Sequence, residues 1–199
     1  YRAISETHGQ ELSVALRRTL DAIEVRQRDG GRPLGVVTGI AEIDRLTSGL
    51  PLGVPFILGA RTGDGKSALA LSLALGACER GTSCVYFSFE DTVEVLTSRS
   101  LAQRSGLNLM DVRRGALTAR QWQALAQAAG ELSALPGRLL VVDDLPRDIG
   151  DVVRQVEAIA ARHKFGLLVF DYFQLLRDRR SRSRSRNDEL SACMAELTW

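Results

Sequence analysis

The sequence has little of several features that would define a protein class at once. Only three of its 199 residues are cysteines, Cys78, Cys84 and Cys193, and their spacing gives no paired framework. This excludes a scaffold held together by disulfides. No apolar run approaches the roughly 18 residues that a membrane-spanning helix needs. We therefore expect a cytoplasmic protein with reduced, mostly buried thiols and no membrane partner.

The chain also has almost no excess of positive over negative charge, because its formal net charge is only +2. That value is too small to argue for a nucleic-acid partner by itself. Residues 177–186 ("RDRRSRSRSR") nevertheless carry six arginines and one aspartate, which gives a local charge of +5 and leaves about −3 for the rest of the chain. Any attraction for an anionic polymer is concentrated in that stretch.

The first part of the chain predicts one helix on a tether. Residues 11–28 place Leu12, Leu16, Leu20 and Ile23 on one apolar stripe of a charged helix, and "DGGRP" at 29–33 breaks the chain after it. We assign residues 1–35 to this helix and tether and residues 36–199 to the main domain. The stripe suits packing on the chain's own core or docking on another subunit, and the pattern does not choose between them.

The main domain alternates strand-like and helical segments. The predicted strands cover residues 56–58, 84–89, 138–142 and 167–170. The predicted helices cover residues 67–80, 93–104, 119–132 and 149–162. Strands that alternate with helices indicate an α/β fold with a mainly parallel sheet, and continuous apolar strands indicate helices on both faces of the sheet.

A glycine-rich loop joins the first predicted strand to the first of these helices. Its sequence, "GARTGDGKS" at 59–67, follows the phosphate-loop pattern except that Ala60 stands where a glycine is usual. Gly63 and Gly65 let successive N–H groups point inward, toward phosphate at the positive end of a helix. Lys66 would reach the β- and γ-phosphates of a nucleotide, and Ser67 would offer its hydroxyl to Mg²⁺.

Two later strands end in carboxylates at the same predicted edge. Asp171 ends "LLVFD" and is placed to hold Mg²⁺ opposite Ser67. Glu90 ends "CVYFSFE" and is placed to orient or deprotonate an attacking water. Asp91 is adjacent and competes for that role, so the position of these carboxylates alone leaves the water-activating residue open.

Six segments together resemble the C-terminal motor domain of the DnaB-type replicative helicases, a RecA-like ATPase with a P-loop. The similar segments are "TGIAEIDRLTSGL" (38–50), "ARTGDGKS" (60–67), "FSFE" (87–90), "LTARQWQALAQAAGEL" (117–132) and "VVDDLP" with "LLVFDYFQLLR" (141–146 and 167–177). In this family alanine followed by arginine replaces the first glycine of the loop. The resemblance covers about residues 36–199.

The resemblance implies roles for particular residues. It favours Glu90 as the catalytic carboxylate, supported by Lys66, with Ser67 and Asp171 at the metal. It also brings Gln174 near the nucleotide. The implied ATP-binding residues are Ala60, Arg61, Thr62, Gly63, Asp64, Gly65, Lys66, Ser67, Ala68 and Gln174. ATP and Mg²⁺ are the implied cofactors.

The resemblance further implies a motor that hydrolyses ATP, moves 5′ to 3′ on single-stranded DNA and unwinds duplex during replication. The helix at 11–28 would then join subunits of a homo-hexamer, and primase and a helicase loader would be partners. Arg179, Arg180, Arg182, Arg184 and Arg186 would face DNA, although a solvated surface loop explains them equally well. The alternatives are another RecA-like ATPase, of the recombination or clock type, and a non-catalytic nucleotide-binding module.

Two features of the family lie outside the sequence, and we expect the motor to be incomplete for that reason. The family's N-terminal domain would precede Tyr1. A further strand, a second DNA-facing loop and an arginine that reaches the neighbouring ATP site would follow Trp199.

Overall fold

The computed structural model describes residues 11–28, 30, 33–177 and 185–196. The chain divides into two compact units, Tyr1–Pro33 and Leu34–Trp199. In the described part of the first unit, the chain forms α1 (Leu12–Arg28), in which no residue is buried. The stripe leucines Leu12, Leu16 and Leu20 are all exposed, so the helix presents an apolar face to solvent.

The second unit alternates helices and strands as predicted. Its elements are α2 (Ala41–Thr47), α3 (Lys66–Glu79), β1 (Cys84–Ser88), α4 (Val93–Ser105), α5 (Leu109–Arg114), α6 (Ala119–Ser133), β2 (Leu139–Val142), α7 (Ile149–Ala160), β3 (Leu167–Asp171), a short 3₁₀ helix (Phe173–Leu175) and α8 (Arg186–Glu196). Within the described ranges, no helix is both long enough and apolar enough to cross a membrane.

The three strands form one parallel sheet in the order β2-β1-β3. In the pairing of β1 with β3, Tyr86 lies beside Val169 and Ser88 beside Asp171. Parallel strands bring their carboxyl ends to one edge, so the chain segments that follow β1 and β3 emerge together. The parallel α/β class predicted from the sequence is confirmed.

Helices cover both faces of this sheet. On one face Cys84 and Tyr86 pack with Leu71 and Ala74 of α3 and with Leu96 of α4. The opposite face carries Val85 and Phe87, which pack with Val152 and Val156 of α7. Successive strand residues alternate between the two faces. Burying each large side chain contributes about 1.5–3 kcal/mol, and both clusters are therefore needed to hold the sheet.

A tight turn before α2 is anchored by one carboxylate. Asp44 Oδ1 accepts hydrogen bonds from the backbone N and from Oγ1 of Thr38, both at 2.8 Å, and Asp44 Oδ2 accepts one from Gly39 N at 2.8 Å. The pKa of Asp44 is lowered, because partial burial, which opposes this, is outweighed by these hydrogen bonds and by the charge of Arg80. The turn lies directly against Gly76 near the C-terminal end of α3.

The predicted strand at 56–58 is wrong. Residues 55–60 form no helix or strand, and Phe56 and Ile57 are exposed. A strand needs a neighbour to accept its backbone hydrogen bonds, and within the described residues no strand pairs with the outer edge of β3. The other predicted elements are present with ends shifted by one or two residues.

Candidate functional site

The glycine-rich loop leads directly into the N terminus of α3. Gly63 and Gly65 have φ values of 88° and 85°, a conformation that residues with a side chain rarely adopt. Gly65 is the N-cap of α3 and supplies no side-chain hydrogen bond there. The first N–H groups of a helix have no partner within it, so the start of α3 offers donors to an anion.

Lys66 folds back over its own loop. Its Nζ donates to the carbonyl oxygen of Ala60 at 3.2 Å and lies 3.4 Å from that of Arg61. The contact uses the backbone of residue 60, so the alanine methyl group does not interfere with it. The loop residues 59–65 are exposed. The loop therefore combines backbone donors, a helix N terminus and an ammonium group at one accessible place, which suits phosphate.

Ser67 and Asp171 meet across 104 positions of sequence. Ser67 Oγ donates to Asp171 Oδ1 at 3.1 Å. Asp171 is buried at the end of β3, and its backbone oxygen accepts a hydrogen bond from Phe89 N at 2.7 Å. The parallel pairing of β1 with β3 thus fixes the carboxylate opposite the first turn of α3.

A residue that the sequence reasoning missed completes this contact. Tyr86 Oη donates to Asp171 Oδ2 at 2.6 Å, and its side chain is fully buried. Burial raises the pKa of the Tyr86 phenol, and the hydrogen bond to the Asp171 carboxylate raises it further. The phenol is therefore a donor at any physiological pH. The sequence feature that could have indicated Tyr86 is its hydroxyl group within the apolar run "CVYFSF". It lies two residues before Ser88 and therefore on the same face of the strand.

These oxygens fit a magnesium ion better than a softer metal. A hydroxyl oxygen beside a carboxylate is the hard donor set that Mg²⁺ uses, with waters completing its shell. The described residues contain no cluster of three or more His, Cys, Asp or Glu side chains that would form a closed metal cage.

Glu90 and Asp91 follow β1 at the same edge, but their surroundings differ. Asp91 forms an ion pair with Arg99 of α4, and Ser88 Oγ donates to the Asp91 backbone oxygen at 2.6 Å. Glu90 is exposed, and none of the hydrogen bonds or ion pairs among the described residues involves its carboxylate. The Asp91 carboxylate is therefore held by Arg99, whereas that of Glu90 faces solvent.

The other residues singled out in the sequence lie elsewhere in the fold. Gln174 is exposed in the 3₁₀ helix that follows β3, three residues beyond Asp171. Arg186 begins α8. The arginines at 179, 180, 182 and 184 lie outside the described residues. Asp143, from "VVDDLP", accepts a hydrogen bond from Val93 N at 2.7 Å and so supports the start of α4.

The fold and the site define a class, an α/β domain of the RecA type with a glycine-rich loop before α3 and an Asp171 carboxylate at the carboxyl edge of a parallel sheet. The sequence matches the family described as DnaB-like helicase C terminal domain over residues 35–198. The chain therefore belongs to that family.

Related proteins agree with this membership. The chain is 31% identical over 184 residues to the replicative DNA helicase DnaB of Geobacillus stearothermophilus, covering 92% of this chain and 40% of that protein. It is 32% identical over 193 residues to the replicative DNA helicase DnaC of Bacillus subtilis (strain 168), covering 94% and 41%. The chain thus spans about two fifths of the length of these relatives.

Two solved structures share the fold. One, described as an ATPase domain, superimposes with a TM-score of 0.76 at 22% identity, covering 96% of this chain and 66% of that chain. A DnaB-like replicative helicase, described with its interactions with primase, gives a TM-score of 0.81 at 22% identity and covers 96% and 45%. The RecA-like fold predicted from the sequence is confirmed.

Proposed function

We propose that this chain is the ATP-hydrolysing motor domain of a replicative DNA helicase, which couples ATP turnover to 5′–3′ movement on single-stranded DNA and to strand separation. The observation that carries the proposal is the Ser67–Asp171 contact of 3.1 Å beside the exposed glycine-rich loop. Family membership over residues 35–198 supports it.

The loop residues 60–68 bind the nucleotide in this proposal. Backbone N–H groups at the start of α3 donate to phosphate oxygens, and Lys66 turns from the carbonyl of Ala60 to the β- and γ-phosphates. Ser67 and Asp171 hold Mg²⁺, which supplies positive charge against the phosphate oxygens. Gln174 lies beside this end of β3 and contributes to the nucleotide site.

Glu90 orients and deprotonates the attacking water. It extends two residues beyond Ser88, which pairs with Asp171 in the sheet, so it emerges at the metal end of the site. Its exposed carboxylate contrasts with that of Asp91, which Arg99 holds. A positioned general base contributes about 10²–10⁴-fold to the rate.

The two adjacent carboxylates give a matched experiment. We expect Glu90→Gln to bind ATP as the unaltered chain does and to lose hydrolysis by about 10²-fold or more. Asp91→Asn is the control and should keep hydrolysis within a few-fold. Lys66→Ala should lose detectable nucleotide binding, because a charged hydrogen-bond donor to phosphate is removed. Phosphate release and equilibrium binding of a fluorescent ATP analogue measure both effects.

Three outcomes would contradict parts of the proposal. Tight ATP binding by Lys66→Ala would refute the loop assignment. Loss of turnover in Asp91→Asn with full turnover in Glu90→Gln would move the base to Asp91. Nucleotide binding without turnover in the unaltered chain, even when its neighbours in a ring are supplied, would favour a nucleotide-binding module over a motor.

The proposed partners are single-stranded DNA, further copies of the chain in a homo-hexamer, primase and a helicase loader, in the cytoplasm. The exposed apolar stripe of α1 supports docking on a neighbouring subunit. Arg179, Arg180, Arg182, Arg184 and Arg186 are the proposed phosphate contacts. Each contact removed should reduce the salt dependence of binding to single-stranded DNA, since fewer counterions are then released.

A further inference from the structure

The buried phenol of Tyr86 packs against α3 and contacts Asp171 in the candidate metal site. Its Oη lies 2.6 Å from Asp171 Oδ2, while Ser67 Oγ lies 3.1 Å from Asp171 Oδ1. The two oxygens of one carboxylate therefore have two different donors. Ser67 donates from the first turn of α3, and Tyr86 donates from β1 of the sheet.

The sheet register makes this contact geometrically fixed. Tyr86 pairs with Val169, and Ser88 pairs with Asp171, so Tyr86 and Asp171 lie on the same face of neighbouring strands and two residues out of register. A diagonal pair on one face is within reach of an aromatic side chain. The ring packs under α3 in the same cluster as Leu71. Because it is fully buried there, it has little freedom to move its hydroxyl away.

We propose that Tyr86 is a positioning residue for Mg²⁺ binding: its hydroxyl holds Asp171 Oδ2 and thereby fixes the rotation of the carboxylate with Oδ1 toward Ser67. This inference rests on the proposed function, since Ser67 and Asp171 are the metal-binding pair in it. Tyr86 acts through Asp171 and touches neither metal nor nucleotide.

The physical reason is the way a carboxylate rotates about its last torsion. That torsion is broad, with no steep energy wells of its own. A hydrogen bond from a rigid, buried donor restricts it, and such supporting contacts orient the groups that hold a metal. Without the hydroxyl, Oδ2 would lose its donor and the carboxylate would sample orientations that no longer face Ser67.

The test compares Tyr86→Phe with the unaltered full chain, because phenylalanine keeps the buried ring and removes only the hydroxyl. Binding of a fluorescent N-methylanthraniloyl ADP is measured by titration in Mg²⁺ and again in EDTA. The ratio of the two affinities reports the contribution of Mg²⁺ alone. We expect this ratio to fall about 10-fold or more in Tyr86→Phe, with the affinity in EDTA unchanged.

Ser88→Ala is the matched control. Ser88 is a buried hydroxyl on the same face of the same strand, but it bonds to Asp91 rather than to Asp171. Its ratio should equal that of the unaltered chain. In an Asp171→Asn background, Tyr86→Phe should have no further effect on the ratio, because the group that it positions has been changed.

The possible results separate the positioning role from the alternatives. A Tyr86→Phe ratio within about two-fold of the unaltered chain would overturn the inference, since oriented metal ligands depend on their supporting contacts by about 10-fold or more. Equal weakening in Mg²⁺ and EDTA would also overturn it, because that pattern is general structural damage. No Mg²⁺-dependent binding by the unaltered chain would refute the proposed function itself, and the inference with it. Loss confined to Mg²⁺ and absent in Ser88→Ala would support the positioning role.

Discussion

Gly76, near the C-terminal end of α3, should not tolerate replacement by a larger residue. A Cβ added there would lie 1.8 Å from the carbonyl oxygen of Thr38, and roughly 2 Å of further separation would be needed to reach ordinary van der Waals contact. Thr38 cannot retreat easily, since its N and Oγ1 are both bonded to Asp44.

The expected effect of Gly76→Ala follows from two opposing contributions. Alanine in a helix interior is favoured over glycine by about 1 kcal/mol. Forcing a methyl group into a closely packed contact costs about 1–3 kcal/mol, and more where backbone must move. Because the clash here is with anchored backbone, we expect a net loss of about 2 kcal/mol in the free energy of unfolding.

Gly130 in α6 provides the control, since a Cβ there meets no atom within 4 Å. Gly130→Ala should therefore raise stability by about 0.5–1 kcal/mol. Urea unfolding followed by circular dichroism measures the free energy of unfolding of both variants. A shift of the midpoint at an unchanged m-value reports a change in stability. If Gly76→Ala were as stable as the unaltered chain or more stable, the close approach of α3 to Thr38 would be refuted.

Two further contacts give predictions for stability. The lowered pKa of Asp44 means that its carboxylate stabilises the fold above the unfolded-state pKa and loses that effect as the pH falls through the lower folded-state pKa. Asp44→Asn should therefore be less stable than the unaltered chain by about 1 kcal/mol at pH 7. This difference in the free energy of unfolding should shrink below about pH 4. Urea unfolding measures it, and a difference that is undiminished at about pH 3 would contradict the prediction. Asp143→Ala should lose about 1 kcal/mol, because Val93 N at the start of α4 loses its acceptor. Asp144→Ala is the adjacent control, and equal thermal shifts for both would refute the capping role of Asp143.

The sequence predicted those parts of the site that depend on local pattern. Spacing alone identified the loop at 59–67, and a carboxylate after an apolar strand identified Asp171. The α/β class followed from the alternation of segments. The signals for the loop and for Asp171 each lie within about ten residues, where periodicity and turn chemistry act directly.

The parts that were missed depend on contacts between distant residues. Tyr86 resembles any other strand residue until the register places it diagonal to Asp171. Residues 56–58 have strand-like composition, but composition does not supply a neighbouring strand. The short helices α2 and α5 span seven and six residues, which is too short for a helical period to be recognised.

The contact between Ser67 and Asp171 also sets the order in which the site can come into existence. The two residues are 104 positions apart, so a growing chain carries its glycine-rich loop long before it has the carboxylate that completes the proposed metal site. Contacts of such long range form late in folding, because the entropy cost of closing a large loop comes before the contact can stabilise the chain. Newly made or partly folded chains would therefore hold no magnesium nucleotide at this place. Nucleotide capture would thus be restricted to molecules whose central sheet is already assembled.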